Sequence, residues 1–280
     1  MPWILNLKPL TMTYHPTVST STSLGLVTLA GAGPGDAELI TLKLQKRLGK
    51  ADVIITDRLV NPEIVQQHAN PRSTVLLAGK QGYNDNSNSQ EEITSLIIES
   101  AKQGKNVLRL KGGDVAIFSN VLDELEGLVE QNIPFEIIPG ITAASGASAY
   151  AGIPLTARGY SQGVQILTFN PNSYYSPETW KHLATSTDTL VFYMAAKNIA
   201  DLAELLLRYS RKPATGLAVI EQATTIHQQV HTTTLKDCAS EFAGKVFSSP
   251  SLVIVGDVVK LHQSFNWFNT LYEGTIFRDL

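Results

Sequence analysis

The sequence predicts an α/β protein of two domains, with a mostly parallel sheet in the first and a mixed sheet in the second. Three observations carry this. From Leu26 to Tyr150, apolar runs of strand length alternate with segments of helical period, the pattern of parallel strands joined by right-handed crossovers. The first of these runs ends in the turn Gly31-Ala32-Gly33-Pro34-Gly35-Asp36, which opens like an α/β nucleotide-binding unit. After Ile153-Pro154-Leu155-Thr156, which reads as a linker, the pattern restarts, and Gln229–Thr234 alternates like an antiparallel strand. A length of 280 residues suggests the same count, about two domains. The expected boundaries are a leader over 1–24, a first domain over 25–155 and a second over 160–268.

The elements follow in order. Leu26–Ala30 is a strand, and the helix after the glycine turn carries Ile40, Leu44 and Leu48 on one face. Asp36 is placed to cap that helix by accepting from its free amides. Ala51–Asp57 is a second buried strand with an acid at its carboxyl end, where open α/β sheets bind ligands. Thr74–Ala78 is the third strand, and Ser89 with Glu92 forms a capping box for a helix bearing Ile93, Leu96, Ile97 and Ala101. Asn106–Leu110 is the fourth strand and ends in Lys111-Gly112-Gly113-Asp114. A helix from about 120 to 130 precedes the fifth strand, Phe135–Ile138, and a helix of small residues follows over 141–152. In the second half, strands are expected at Val164–Phe169, Thr189–Met194, Leu217–Glu221, Gln229–Thr234 and Leu252–Val255. Helices are expected at Asn198–Tyr209 and Leu235–Ala243, and 170–177 reads as turn-rich.

Composition narrows the function classes. With 43% hydrophobic and 17% charged residues the chain is ordinary globular protein. Its net charge of −3 offers no electrostatic footprint for nucleic acid. Cys238 is the only cysteine, which excludes an internal disulfide, a Cys₄ zinc site and a cysteine-ligated cluster. It reads as a buried structural thiol, and no metal site is expected. Met1–Ser23 holds one Lys, no acid and no apolar core of signal-peptide type. It reads as a disordered leader, or as a start placed too early with Met12 as the alternative, rather than as a targeting signal. The uncharged stretch 137–157 contains two prolines besides its glycines and serines, so it reads as a buried helix with loops rather than a membrane span. A cytoplasmic protein without a membrane partner is the expectation.

Small-residue loops recur after the strands, at 31–36, 79–82, 112–114 and 140–146. A parallel sheet gathers such loops at one edge, here facing the second domain, which points to a small-molecule cleft. The ligand is not named by this. The first turn spaces its glycines G-x-G-x-G, one residue short of the dinucleotide fingerprint, and Pro34 removes an amide from it. Asp57 stands roughly 20 residues on, where a ribose-binding acid is expected. On these residues alone a nicotinamide oxidoreductase stays open.

Five stretches carry a resemblance: Val27–Asp36, Ala51–Val60, Leu110–Asp114, Pro139–Thr156 and Ser249–Val259. Through them the chain from Gly25 to Trp267 resembles the uroporphyrinogen-III C-methyltransferases of the tetrapyrrole methylase family, class III S-adenosylmethionine-dependent methyltransferases. The resemblance implies the family's two-domain fold, a homodimer, and S-adenosylmethionine held in the cleft between the domains. It also implies methylation of uroporphyrinogen III to precorrin-2, towards sirohaem or cobalamin. It assigns Pro34 to the pocket border and Gly112, Gly113, Asp114 and Ile117 to the methionine part. Thr142 and Ala143 fall beside the sulfonium, and Tyr193, Met194 and Ala223 at the adenosine end. Asp57 is the implied catalytic or substrate-orienting group, with Leu59, Phe118 and Arg158 on the substrate side. Arg58, Lys80 and Arg158 are the cations available for a substrate rich in carboxylates. The chain departs from the family on that side: Gln81 and Asn120 replace arginines, Ala157 replaces a histidine, and Asn170 stands in place of another. The cofactor side is largely intact, so a diverged methylase acting weakly or on another tetrapyrrole is the alternative.

Overall fold

The computed structural model describes residues 23–78, 90–170, 175–268 and 274–277. Its first sheet has five parallel strands: β1 (Val27–Gly31), β2 (Val53–Asp57), β3 (Thr74–Ala78), β4 (Val107–Lys111) and β5 (Phe135–Ile138). Their order is β3-β2-β4-β1-β5, so the chain ends of β4, β1 and β5 stand side by side. Helices cover both faces. Leu44 and Leu48 of α1 (Leu42–Leu48) and Ile64 of α2 (Pro62–His68) pack with Ala30, Ile54 and Leu108 on one face. Ile93 and Ile97 of α3 (Gln90–Lys102) and Leu128 of α4 (Leu122–Glu130) pack with Val27, Leu29 and Ile55 on the other.

The second sheet is mixed, in the order β6-β7-β10-β8-β9. β6 (Val164–Thr168) runs parallel to β7 (Thr189–Tyr193), while β10 (Ser251–Val255), β8 (Gly216–Glu221) and β9 (Gln229–Thr234) pair antiparallel. One face is covered by α6 (Pro177–Thr185), α7 (Ile199–Arg208) and α8 (Cys238–Glu241), around Phe192, Leu202 and Val253. The other face receives α5 (Ala143–Tyr150), which follows the first sheet in sequence. Ala144, Ala147 and Ala151 pack there against Val191, Ala218 and Ile254. The small residues of this helix bring the two sheets close, and at Gly146 an added Cβ would lie 2.5 Å from Pro34 Cγ.

Several expectations are corrected. The segment after the glycine turn is not one helix. Asp36 Oδ1 accepts from Glu38 N at 2.8 Å to cap a single 3-10 turn, Ala37–Leu39. Ile40 is extended, and Thr41 caps α1 afresh. α2 and α6 had no counterpart in the reading of the sequence. Each begins with Pro at its first turn behind an Asn61 or Ser176 cap, the position where proline suits a helix. The helix expected over 235–243 is only Cys238–Glu241, and β7 ends at Tyr193 because Met194 turns to φ +59°. Cys238 is buried, and that burial pushes its thiol up to about 11. The capping box at Ser89, the loop 79–82, Lys80 and Gln81 lie outside the described residues. Among the described residues no helix is long and apolar enough to cross a membrane.

Candidate functional site: a cleft at the strand ends

Three loops at the carboxyl ends of β4, β1 and β5 are knitted into one wall. Gly33 N donates to Gly113 O at 3.1 Å and Gly113 N to Gly33 O at 2.8 Å. A Cβ on Gly140 would sit 2.3 Å from Gly113 O, and one on Gly31 2.5 Å from the same atom. Glycine at these positions therefore lets the loops touch one another. Asp114 ties the knot: Oδ1 accepts from Ala116 N at 2.8 Å and Oδ2 from Gly140 N at 2.7 Å. Its carboxylate is engaged by the protein's own backbone.

The first turn is engaged as well. Ala32 N donates to Lys111 O at 2.7 Å, Gly33 N to Gly113 O, and Asp36 N to Thr224 Oγ1 at 2.9 Å. Pro34 has no amide. With these donors committed, the turn is not built as a pyrophosphate cradle, which removes the physical support for a dinucleotide site. It serves instead as the joint with the second sheet, where Thr224 and the Ala223 carbonyl meet it.

Between these walls lies a cavity of about 190 Å³. Pro34, Gly112, Gly113, Asp114, Ile117, Thr142 and Ala143 line it from the first half, and Tyr193, Met194 and Ala223 from the second. Leu59 and Phe118 border it too. Tyr193 joins the halves: its hydroxyl is 2.6 Å from Thr142 Oγ1 and accepts from Ala144 N at 2.9 Å. Burial pushes that hydroxyl's pKa above its ordinary value. The Phe118 ring lies 5.2 Å from the Tyr193 ring. Phe118 and Met194 line the cavity with positive φ, and Asn120, Gln222 and Thr224, close in sequence to lining residues, hold positive φ too, a conformation costly for residues with a Cβ and concentrated at functional sites. Met194 and Phe118 are also exposed there.

Asp57 does not line the cavity. It faces a neighbouring groove of about 470 Å³ shared with Arg58, Val60 and Pro62, while Leu59 of the same turn reaches the cavity. Asp57 Oδ1 is 2.6 Å from Arg109 Nη2. Arg109 and Lys111 are buried on β4, and both reach the buried Glu124 of α4. These three residues escaped the reading of the sequence, although it carried a signal. Two cations alternate with leucines on an apolar strand, and buried charges need partners. Arg158 is exposed in the turn 157–161 and is not among the residues lining the cavity. Asn120 is exposed at the end of the loop that carries Phe118.

Fold and site together define a two-sheet α/β protein with a small-molecule cleft between a parallel and a mixed sheet. The family model of the Tetrapyrrole (Corrin/Porphyrin) Methylases matches residues 26–239. A siroheme synthase of Pseudomonas entomophila is 41% identical over 244 residues, which are 87% of this chain and 52% of that protein. The chain thus spans about half the length of the curated relatives it matches. A crystal structure of uroporphyrin-III-C-methyltransferase from Thermus thermophilus is 32% identical, with a TM-score of 0.71, covering 86% of this chain and 96% of that one. The same protein complexed with S-adenyl homocysteine superposes with a TM-score of 0.69 at 32% identity, over 85% and 94% of the two chains. The chain belongs to the tetrapyrrole methylase family, a family of S-adenosylmethionine-dependent enzymes.

Proposed function

We propose that the chain methylates pyrrole carbons of uroporphyrinogen III, giving precorrin-2 for sirohaem or cobalamin synthesis, with S-adenosylmethionine seated in the cleft. The observation that carries this reading is the convergence of Pro34, Gly113, Thr142, Tyr193, Met194 and Ala223, from five separate stretches of sequence, on one cavity. The residues fit such a cofactor. The walls are backbone, small side chains and aromatic rings, with few polar groups, as small-ligand sites are built. At Gly113 a Cβ would meet nothing closer than an ordinary contact, Ala143 N at 3.7 Å. Bound there, S-adenosylmethionine supplies an electrophilic methyl on sulfur.

The chain's part is chiefly positioning, which alone can supply much of a methyl transfer's rate. Thr142 and Ala143 hold the wall beside the reacting centre, Gly112–Asp114 continue that wall along the methionine part, and Tyr193 braces Thr142 from the adenosine end. Phe118 and Leu59 offer the tetrapyrrole an apolar face and exclude water. Asp57, held through Oδ1 by Arg109, orients the macrocycle or takes the proton released from it. Arg158 and Arg58 are the cations for its carboxylates. The reading carries with it domains over 25–155 and 160–268, a homodimer and a cytoplasmic setting. The departures favour one second reading, a methylase that acts weakly or on another tetrapyrrole. Asn120, where the family carries an arginine, is solvent-exposed two residues after Phe118, which is consistent with a cation missing on the substrate side.

Calorimetry with S-adenosylhomocysteine and with NAD tests the cofactor assignment. Saturable binding of the first and none of the second is expected. NAD binding with no response to S-adenosylhomocysteine would sink it.

A further inference from the structure

Under the carboxyl end of β4 lies a concentration of buried charge. Glu124, in the first turn of α4, has no exposed side-chain surface, and its Oε1 receives both Arg109 Nε at 3.3 Å and Lys111 Nζ at 3.0 Å. Among the described residues Glu124 Oε2 has no hydrogen-bond partner. Burying such a cluster is a poor route to stability, because apolar residues of similar volume serve as well or better. The cluster instead has a direction. Arg109 takes Glu124 on Nε and presents Nη2 to Asp57 Oδ1 at 2.6 Å. Lys111 meets the same Glu124 oxygen and donates onward to Ser119 O at 2.8 Å. A guanidinium held at Nε by a fixed, buried carboxylate has little freedom left at its other end.

We infer that Glu124 is a positioning residue for methyl transfer, holding the Arg109 guanidinium in the orientation that sets the Asp57 carboxylate in the groove beside the cleft. The inference rests on the role proposed for Asp57. Glu124 lines neither cavity, so it acts through its two cations: Arg109 towards Asp57, and Lys111 towards the loop of Ser119. Glutamine at this position keeps the shape and loses the charge that binds both cations.

The test is a double-variant cycle on the full chain with uroporphyrinogen III and S-adenosylmethionine, comparing Asp57→Asn, Glu124→Gln and both together. Glu124→Gln is expected to lower kcat about thirtyfold while KM and the Kd for S-adenosylhomocysteine move by less than about threefold. The double variant is expected to be no slower than Asp57→Asn, because residues acting as one unit are not additive. Wild-type kcat in Glu124→Gln, or losses that multiply in the double variant, would overturn the inference while leaving Asp57 its role. Wild-type kcat in Asp57→Asn would overturn that role and the inference with it. If Glu124→Gln does not fold, Glu124→Asp carries the same test. It keeps the charge but withdraws it by one methylene, so a lower kcat with unchanged S-adenosylhomocysteine affinity is expected and wild-type kcat would contradict it.

Discussion

Tyr193 Oη lies 2.6 Å from Thr142 Oγ1, so the last residue of β7 closes on the N-cap of α5 and fastens the second sheet to the first at the wall of the cleft. The same oxygen accepts from Ala144 N at 2.9 Å. Tyr193→Phe keeps the ring against Phe118 and leaves that amide without its acceptor. A loss of about 1–3 kcal/mol is expected, the usual penalty for a buried unpaired polar group, read as a lower urea midpoint. Affinity for S-adenosylhomocysteine should fall by several-fold in the same variant. Unchanged stability and affinity would show that the two halves are joined elsewhere.

Gly113 and Gly140 face each other in the loop knot but predict different outcomes. An added Cβ at Gly140 meets Gly113 O at 2.3 Å and Gly31 carbonyl carbon at 2.8 Å. Gly140→Ala should therefore destabilise the fold by about 2–3 kcal/mol, as overpacking does. Gly113 holds φ +67°, and a Cβ there would meet nothing closer than an ordinary contact. Gly113→Val should fold at a cost of about 1–2 kcal/mol for the left-handed backbone and lose S-adenosylhomocysteine binding by filling the cleft. Thermal melts and calorimetry on the two variants separate the effects. Normal ligand affinity in folded Gly113→Val would remove that loop from the site.

Much of this was legible in the sequence, and the omissions have physical causes. Strands β3, β5 and β9 stand where alternation and apolar runs put them, because local pattern decides a strand. The cleft residues were legible only through motifs; nothing local distinguishes Met194 or Ala223 from core. α2 and α6 were missed, although each carries the proline in its first turn that suits a helix start. The glycines were legible as glycines but not for their reason, since Gly31, Gly113 and Gly140 meet only after folding. Asp36 was legible as a cap and does cap the 3-10 turn, but the sequence did not show that its other oxygen accepts from Tyr150 Oη at 2.8 Å, or that the Asp114 carboxylate ties the Gly140 loop. Arg109 and Glu124 are 15 residues apart on different elements, and no periodicity reports such a pair.

The edge strand β5 carries a pH-dependent clamp. Glu136 accepts from Arg47 of α1, pairs with Lys43 Nζ at 2.9 Å and accepts from Thr28 Oγ1 at 3.1 Å. The Arg47 bond first, then those of Lys43 and Thr28, hold its carboxyl at about 2, against an ordinary 4.5, although partial burial opposes the shift. A depressed carboxyl pKa adds stability that is fully present above the ordinary value and is lost as pH falls through the lowered one. Glu136→Gln should therefore be less stable than the parent at neutral pH, and the difference should close as pH falls from 4.5 to about 2. Urea melts across that range check it. A difference independent of pH would mean the Glu136 charge contributes nothing.

Methyl transfer to uroporphyrinogen III from S-adenosylmethionine would take place in the cleft that Tyr193 and Gly113 line. Incubating the purified chain anaerobically with uroporphyrinogen III and methyl-labelled S-adenosylmethionine, with product masses read by spectrometry, tests it most directly. A tetrapyrrole heavier by one labelled methyl less one proton for each S-adenosylhomocysteine formed is expected. Unlabelled uroporphyrinogen recovered intact, from protein that binds S-adenosylhomocysteine normally, would contradict it and assign the cleft to another substrate.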